Sequence, residues 1–88
     1  MTIDPASTIR VLFVEDVDAE SQLSLSFLRR AGLACVALRV ETEDALRQAL
    51  GDFDPNIILS DFSLPQFDGL TALSIAHEVA PDVPFIFV

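Results

Sequence analysis

The chain contains no lysine, no tryptophan and no tyrosine, and it has a single cysteine and three glycines among its 88 residues. Its five basic residues are all arginines, whereas Asp and Glu number fourteen, so the formal net charge is −9. This charge repels nucleic-acid phosphates and anionic membrane surfaces, so we expect the chain to bind neither of them. The acidity instead favours cations, either metal ions or basic patches on a partner protein.

The scarcity of cysteine and the lack of a long apolar run indicate where the protein resides. One cysteine, Cys35, excludes an internal disulfide and favours a reducing compartment. The apolar runs of the sequence are all much shorter than the roughly 18 residues that a membrane-spanning helix needs. Residues 1–5 lack the basic start and the apolar stretch of a signal peptide. We therefore expect a cytoplasmic protein.

Hydrophobic residues make up 51% of the chain, which is enough for one core, but the length is too small for two ordinary domains. We expect one domain over residues 1–88, of which residues 1–8 form a polar lead-in. Short continuous apolar runs are typical of strands that are buried on both faces of a parallel sheet. Four such runs predict four strands, at residues 9–14, 34–38, 57–59 and 85–88.

Helical patterns lie between these strands, and capping residues, glycine and proline predict their ends. The first helix begins at Asp18 and ends at Gly32, the second follows Thr42 and ends at Gly51, and the third begins at Asp68 or Gly69 and ends at Val79. The apolar positions predict the buried face of each helix. These faces are Leu23, Phe27, Leu28 and Ala31 in the first, Leu46, Ala49 and Leu50 in the second, and Leu70, Leu73 and Ala76 in the third.

The alternation of strands and helices predicts an α/β fold with a parallel sheet. Ligands of such sheets bind at the carboxyl ends of the strands, where the strand order reverses. Glu15 and Asp16 follow the first strand, and Asp61 follows the third. Three carboxylates at one edge repel one another unless a cation such as Mg²⁺ binds there, and an aspartate can act as a nucleophile toward phosphorus. This pattern is compatible with phosphoryl transfer but does not single it out.

The segment around Asp61 is more specific. A buried strand ends in Asp61, Pro65 follows four residues later, and the dipeptide Asp68-Gly69 follows at seven and eight. The acidic pair after the first strand lies about 45 residues upstream. In register with the strand–helix alternation, this combination resembles the receiver domains of response regulators in two-component signalling.

The resemblance implies a flavodoxin-like, doubly wound parallel sheet that is incomplete here, with strand order 2-1-3-4 and three helices. It also implies that Asp61 accepts a phosphoryl group from the phosphohistidine of a histidine kinase or a histidine phosphotransfer protein. Enzymatic activity would then be limited to self-phosphorylation and autodephosphorylation. The implied Mg²⁺ ligands are Glu15, Asp16, Asp61 and the backbone carbonyl of Ser63, and the residues implied to shape the loop are Pro65 and Gly69.

The chain departs from the family pattern after the fourth strand. Family members continue to a Ser or Thr, a helix, a fifth strand that ends in Lys, and a last helix, whereas this sequence ends at Val88 and contains no Lys. We therefore expect a partial receiver domain that is phosphorylated poorly. The run from Phe85 to Val88 would lie at an open sheet edge, and we expect it to form a homodimer or a larger assembly through Phe85, Phe87 and residues of the first helix.

Two alternative functions stay open. Asp16-Val17-Asp18 fits the Asp-x-Asp spacing of haloacid-dehalogenase-type phosphatases, with Asp16 as nucleophile and Asp18 as general acid, although the segment around Asp61 favours a receiver. A pseudo-receiver, which keeps the shape as an interaction module and is not phosphorylated, agrees with the missing Lys. The only histidine, His77, falls late in the third helix and is interpreted as an ordinary surface residue.

Overall fold

The computed structural model describes residues 8–62 and 68–88, and strands alternate with helices throughout these ranges. All four predicted strands and all three predicted helices are present, with ends that differ from the predicted ones by at most two residues. Most of the predicted lead-in lies outside the described residues. The elements are β1 (Ile9–Val14), α1 (Asp18–Arg30), β2 (Cys35–Val40), α2 (Glu43–Asp52), β3 (Ile57–Ser60), α3 (Gly69–Val79) and β4 (Phe85–Phe87).

The four strands form one parallel sheet in the order β2-β1-β3-β4. This arrangement confirms the predicted flavodoxin-like α/β fold and its strand order. β1 occupies an inner position, with β2 on one side and β3 on the other, and its last four residues are buried. A parallel strand that is covered on both faces is apolar where it is covered, which explains the uninterrupted apolar run of residues 11–14 in β1.

Alternate residues of β1 contribute to two apolar clusters, one on each face of the sheet. Leu12 and Val14 belong to the larger cluster, which they share with α2, α3 and Ile58 of β3. Val11 and Phe13 belong to the smaller cluster, which lies against α1 and contains its Leu25. The predicted buried face of α2 is confirmed, and Cys35 is a buried free thiol in the smaller cluster.

The predicted buried face of α1 is wrong in part, since of its four residues only Leu28 packs against the smaller cluster. Leu23 and Phe27 are 62% and 66% exposed, whereas Ser21 and Leu25 are the buried residues of this helix. The position of α1 against β1 and β2 sets which face is covered, and hydrophobicity alone does not reveal that rotation. In α3, Leu70 is exposed contrary to the prediction, whereas Ala76 is buried as predicted, together with Gly69, Ala72 and Ile75.

The helix ends follow from short-range hydrogen bonds. The side chains of Thr42 and Asp68 accept bonds from the backbone N–H three residues later, at 3.2 and 2.7 Å, and thereby cap α2 and α3. The cap position of α1 is Val17, which provides no side-chain bond, and Asp18, the residue expected there, is the first residue of the helix. Gly32 has a φ of +90°, which agrees with the predicted left-handed end of α1. Among the described residues, no helix is long and apolar enough to cross a bilayer.

β4 forms one edge of the sheet, and its side chains alternate between a covered face and an open face. Phe85 and Phe87 are half-buried, and the Phe87 ring lies edge-on to Phe62 at a centroid distance of 5.2 Å. Ile86 and Val88, at 45% and 69% exposure, lie on the opposite face. The exposed apolar surface of this edge therefore comes from Ile86 and Val88 rather than from the two phenylalanines that we expected there.

Gly69 is required by a close approach of the chain to itself. Its N–H donates to the Phe62 carbonyl at 2.9 Å. A Cβ at this position would lie 2.7 Å from that carbonyl oxygen and 2.7 Å from Cε1 of Phe87. Its φ is not positive, so the reason for glycine at this position is space for the backbone.

We expect Gly69→Ala to lower the free energy of unfolding by about 1 to 3 kcal/mol. The added Cβ would clash with the Phe62 carbonyl, a backbone group that can shift only if the chain around it is distorted. Gly51→Ala is the matched control. Gly51 lies in α2 with open space around its Cβ position, so this change should raise stability by up to about 1 kcal/mol through helix propensity. Urea unfolding of the two variants measures the difference, and equal effects would contradict the close-approach explanation.

Candidate metal centre

Three carboxylates meet at the carboxyl edge of the sheet, as predicted. One carboxylate oxygen from each of Glu15, Asp16 and Asp61 lies within 4.8 Å of the others. The cause is the parallel pairing of β1 with β3, in which Val14 lies opposite Ser60. The N–H of Asp61 donates to the Val14 carbonyl at 2.9 Å, so the pairing continues for one residue beyond β3 and brings Asp61 beside the acidic pair.

Glu15 is the most buried of the three acids, with 6% of its surface exposed. Its Oε1 accepts a hydrogen bond from the Val17 N–H at 3.1 Å. Burial, reinforced by a hydrogen bond with Asp16 and by the charge of Asp61, raises the pKa of Glu15 to about 6 even though the Val17 bond lowers it. The cluster therefore resists carrying three negative charges, which is the electrostatic condition that a bound cation relieves.

Arg39, a basic residue beside this cluster, was not predicted from the sequence. Its Nη1 donates to the backbone carbonyl of Glu15 at 3.1 Å. The same guanidinium lies 3.3 Å from the Asp18 carboxylate and 3.7 Å from that of Glu41. A signal was present in the sequence, since Arg39 interrupts the apolar run of β2 near its carboxyl end, on the side of the sheet where the acids were expected.

A cleft of about 310 Å³ opens beside the carboxylates. Glu15 and Asp61 contribute to its acidic end, and Leu23, Leu59 and Val88 are among the apolar residues that line the remainder. The acidic end of this cleft repels anionic molecules, and a cation at the cluster would favour their approach to Asp61.

Several residues named in the sequence analysis are not part of the carboxylate cluster that the structure describes. Ser63 and Pro65, the predicted carbonyl ligand and loop residue, lie outside the described residues. Asp18, the general acid of the phosphatase alternative, is outside the carboxylate cluster and pairs with Arg39. This pairing disfavours the phosphatase. His77 is exposed in the last turn of α3, as predicted for a surface residue.

Comparison with known proteins gives three relatives, and no family model matches the chain. The chain is 33% identical over 87 residues to the sensor kinase CckA of Brucella abortus strain 2308, an alignment that covers 97% of this chain and 9% of the relative. It is 33% identical over 73 residues to the protein-glutamate methylesterase/protein-glutamine glutaminase of Archaeoglobus fulgidus, with 83% and 21% covered. It is also 36% identical over 61 residues to the DNA-binding transcriptional regulator NtrC of Proteus hauseri, with 69% and 12% covered.

These relatives are different signalling proteins, and what they share with the chain is a receiver domain. The chain spans between 9% and 21% of the length of these relatives, which is the extent of one domain within each. The strand order and the acidic cluster agree with that assignment. The chain belongs to the response-regulator receiver domains of two-component signalling.

The raised pKa of Glu15 makes stability depend on pH. Because the folded state binds this proton more tightly than the unfolded chain, whose carboxyl has the ordinary pKa of 4.5, the contribution is fully present below pH 4.5 and is lost as the pH rises through about 6. We expect the free energy of unfolding to fall by roughly 1 to 2 kcal/mol over this window. Chemical unfolding in Mg²⁺-free buffer across the window measures it.

Glu15→Gln should remove this fall, since the amide does not titrate. Glu78→Gln, at an exposed position of α3, is the matched control and should keep the wild-type profile. A Glu15→Gln profile with the same slope as wild type would assign the pH dependence to another group.

Proposed function

We propose that this chain is a phosphoacceptor domain, in which Asp61 receives a phosphoryl group from the phosphohistidine of a histidine kinase or a histidine phosphotransfer protein, with Mg²⁺ at the acidic cluster. The observation that carries the proposal is the convergence of the Glu15, Asp16 and Asp61 carboxylates within 4.8 Å at the carboxyl edge of the sheet. One of the relatives is itself a sensor kinase, which supports a partner of this class.

The donor set fits magnesium. Mg²⁺ prefers hard oxygen ligands and is usually held by one or two carboxylates together with water and phosphate oxygens, and the cluster offers three carboxylates. Asp16 and Asp61, which are both partly exposed, would hold the ion directly, and the buried Glu15 would act directly or through water. When bound, the ion neutralises charge on the phosphoryl oxygens and on the attacking carboxylate.

The chemical step forms one bond and breaks one. An Asp61 carboxylate oxygen attacks phosphorus, the phosphorus–nitrogen bond to the histidine breaks, and the imidazole leaves with the electron pair and takes up a proton. The product is an aspartyl phosphate on this chain and a neutral histidine on the partner. The Asp61 N–H donates to the Val14 carbonyl, so the backbone of the nucleophile is held on the sheet beside Glu15 and Asp16.

A pseudo-receiver, which keeps the shape but is not phosphorylated, is the second candidate, and these 88 residues contain no lysine that could contact the phosphoryl oxygens. A positive charge on the phosphoryl oxygens contributes to catalysis in sites of this kind, and the loss of one preorganised partner costs several kcal/mol of transition-state stabilisation. We therefore expect slow labelling of this chain rather than none. Labelling at Asp61 separates the two candidates, because a pseudo-receiver would not be labelled at all.

We expect acetyl phosphate with Mg²⁺ to add one phosphoryl group to a small fraction of the wild-type chain, detected by intact mass. Asp61→Asn should abolish the product, and Asp16→Asn or removal of Mg²⁺ with a chelator should reduce it. Asp44→Asn, at an exposed position in the first turn of α2, is the control and should be labelled like wild type. Full labelling of Asp61→Asn would move the nucleophile to another residue, as the phosphatase alternative requires for Asp16.

The apolar residues beside the cleft support a further part of the proposal, which is self-association. Ile86 and Val88 are exposed at the edge of the sheet, and Leu23 and Phe27 are exposed on α1. A strand edge with exposed apolar residues is a template for pairing with another chain. The net charge of −9 on each copy opposes this contact, so the association should be weak and should increase with ionic strength.

Sedimentation equilibrium should give an average mass above the 9.6 kDa of one chain, and the mass should rise with added salt. Ile86→Glu should return the protein to a monomer because it places a charge on the exposed apolar edge. Val79→Glu, at an exposed apolar position at the end of α3, is the control and should leave the mass unchanged. A monomer at every salt concentration would contradict self-association.

A further inference from the structure

Arg39 contacts both sides of the loop that carries Asp16. This loop joins β1 to α1, and Asp16 and Val17 lie in it between Glu15 and Asp18. The Arg39 Nη1 donates to the Glu15 carbonyl at 3.1 Å, and the Nε lies 3.3 Å from Oδ1 of Asp18. The same side chain lies 3.7 Å from a carboxylate oxygen of Glu41, which follows β2. One guanidinium thus joins the end of β2 to both ends of the acidic loop.

The hydrogen bond from Arg39 satisfies the backbone carbonyl of Glu15, which has no partner strand at this point. The pairing of β1 with β2 has Val14 opposite Val40 as its last pair, and the Glu15 N–H still donates to the Val40 carbonyl at 3.0 Å. Beyond this point β1 leads into α1 and β2 leads into α2, so the strand pairing ends. The Glu15 carbonyl accepts a hydrogen bond from the Arg39 side chain instead. Glu15 is buried, and a buried carbonyl needs such a donor.

Geometry, rather than charge, is what this contact supplies. The ion pairs of Arg39 involve exposed or partly exposed carboxylates, and pairs of this kind contribute little by themselves. The planar guanidinium carries donors that point in several fixed directions, so it can bond a carbonyl and a carboxylate at once. A lysine keeps the charge but concentrates its donors on one nitrogen, and it cannot reproduce this pattern.

We propose that Arg39 is a positioning residue of the acidic cluster, which fixes the backbone on both sides of Asp16 so that its carboxylate lies against those of Glu15 and Asp61 before a cation binds. The role of the cluster as a cation site rests on the function proposed above. The contacts of Arg39 with the loop do not.

The sign of the effect on Mg²⁺ affinity distinguishes positioning from charge. The Arg39 charge repels a cation at the nearby cluster, so removal of the charge by itself would strengthen Mg²⁺ binding. Loss of positioning weakens binding, because the loop must then be ordered at the moment the ion binds. Arg39→Lys isolates the positioning effect, since the charge is retained and only the fork of donors is lost.

Arg10→Lys is the matched control. Arg10 lies in the same sheet at the start of β1, and its Nε donates to the backbone carbonyl of Asp54 at 2.6 Å while its Nη2 lies 3.6 Å from the Asp54 carboxylate. This residue therefore makes the same two kinds of contact as Arg39, at the opposite end of β1 from the acidic cluster.

The experiment measures Mg²⁺ affinity by titration of amide NMR shifts, thermal stability, and the hydrogen exchange of the Val17 amide in metal-free protein. The Val17 N–H is held by Oε1 of Glu15, so its exchange reports the order of the loop. Arg39→Lys should weaken Mg²⁺ binding about tenfold, as changes in residues that orient metal ligands commonly do. It should also speed exchange at Val17, whereas Arg10→Lys should change neither quantity.

Two other outcomes would overturn the positioning role of Arg39, and a third would overturn the proposed cation site. Wild-type Mg²⁺ affinity together with wild-type Val17 exchange in Arg39→Lys would overturn the positioning role. The positioning role would also be overturned if Arg39→Lys and Arg10→Lys lost Mg²⁺ affinity equally and in proportion to their losses of thermal stability. That result would show a general structural effect. If wild-type protein gives no saturable Mg²⁺ response, the proposed cation site is wrong, and Val17 exchange in Arg39→Lys still decides whether Arg39 orders the loop.

Discussion

The inner position of β1 in the parallel sheet is the constraint on which the other features depend. Because β2 and β3 pair with β1 in parallel, the carboxyl ends of these strands lie at one edge. The polar residues that follow β1 and β3 are thereby brought together, although about 45 residues separate Asp16 from Asp61 in the sequence. The apolar residues of β1 hold this arrangement through both clusters of the core, so the stability of the sheet and the geometry of the site have one origin.

The acidic cluster lowers the stability of the fold, and the same three carboxylates are the candidate ligands of a metal ion. A folded chain without ligands gains nothing from three carboxylates within 4.8 Å of one another, and the raised pKa of Glu15 is a direct sign of that cost. A bound cation would relieve this cost. The cluster lies beside an apolar cleft and near exposed apolar side chains of α1.

Much of the fold and most of the candidate site were predictable from the sequence, because they depend on local or periodic signals. Apolar runs identified the strands, caps and glycine identified the helix ends, and strand-end acids identified the cluster. What was not predictable depends on packing between distant elements. The buried face of α1 is one example, since Leu23 and Phe27 are exposed although they are among its most apolar residues. The burial of Ser21 in their place follows from how α1 lies on the sheet.

The amino-acid sequence by itself determined the order of strands and helices, the presence of acidic residues after β1 and β3, and the segment from Asp61 to Gly69 that marks the family. Only the tertiary structure showed that Gly69 is needed where the chain approaches the Phe62 carbonyl. It alone brought Arg39 of β2 against the loop that follows β1. The physical reason is that composition and periodicity specify which surfaces are apolar, whereas contacts between side chains and a distant backbone exist only after those surfaces have packed.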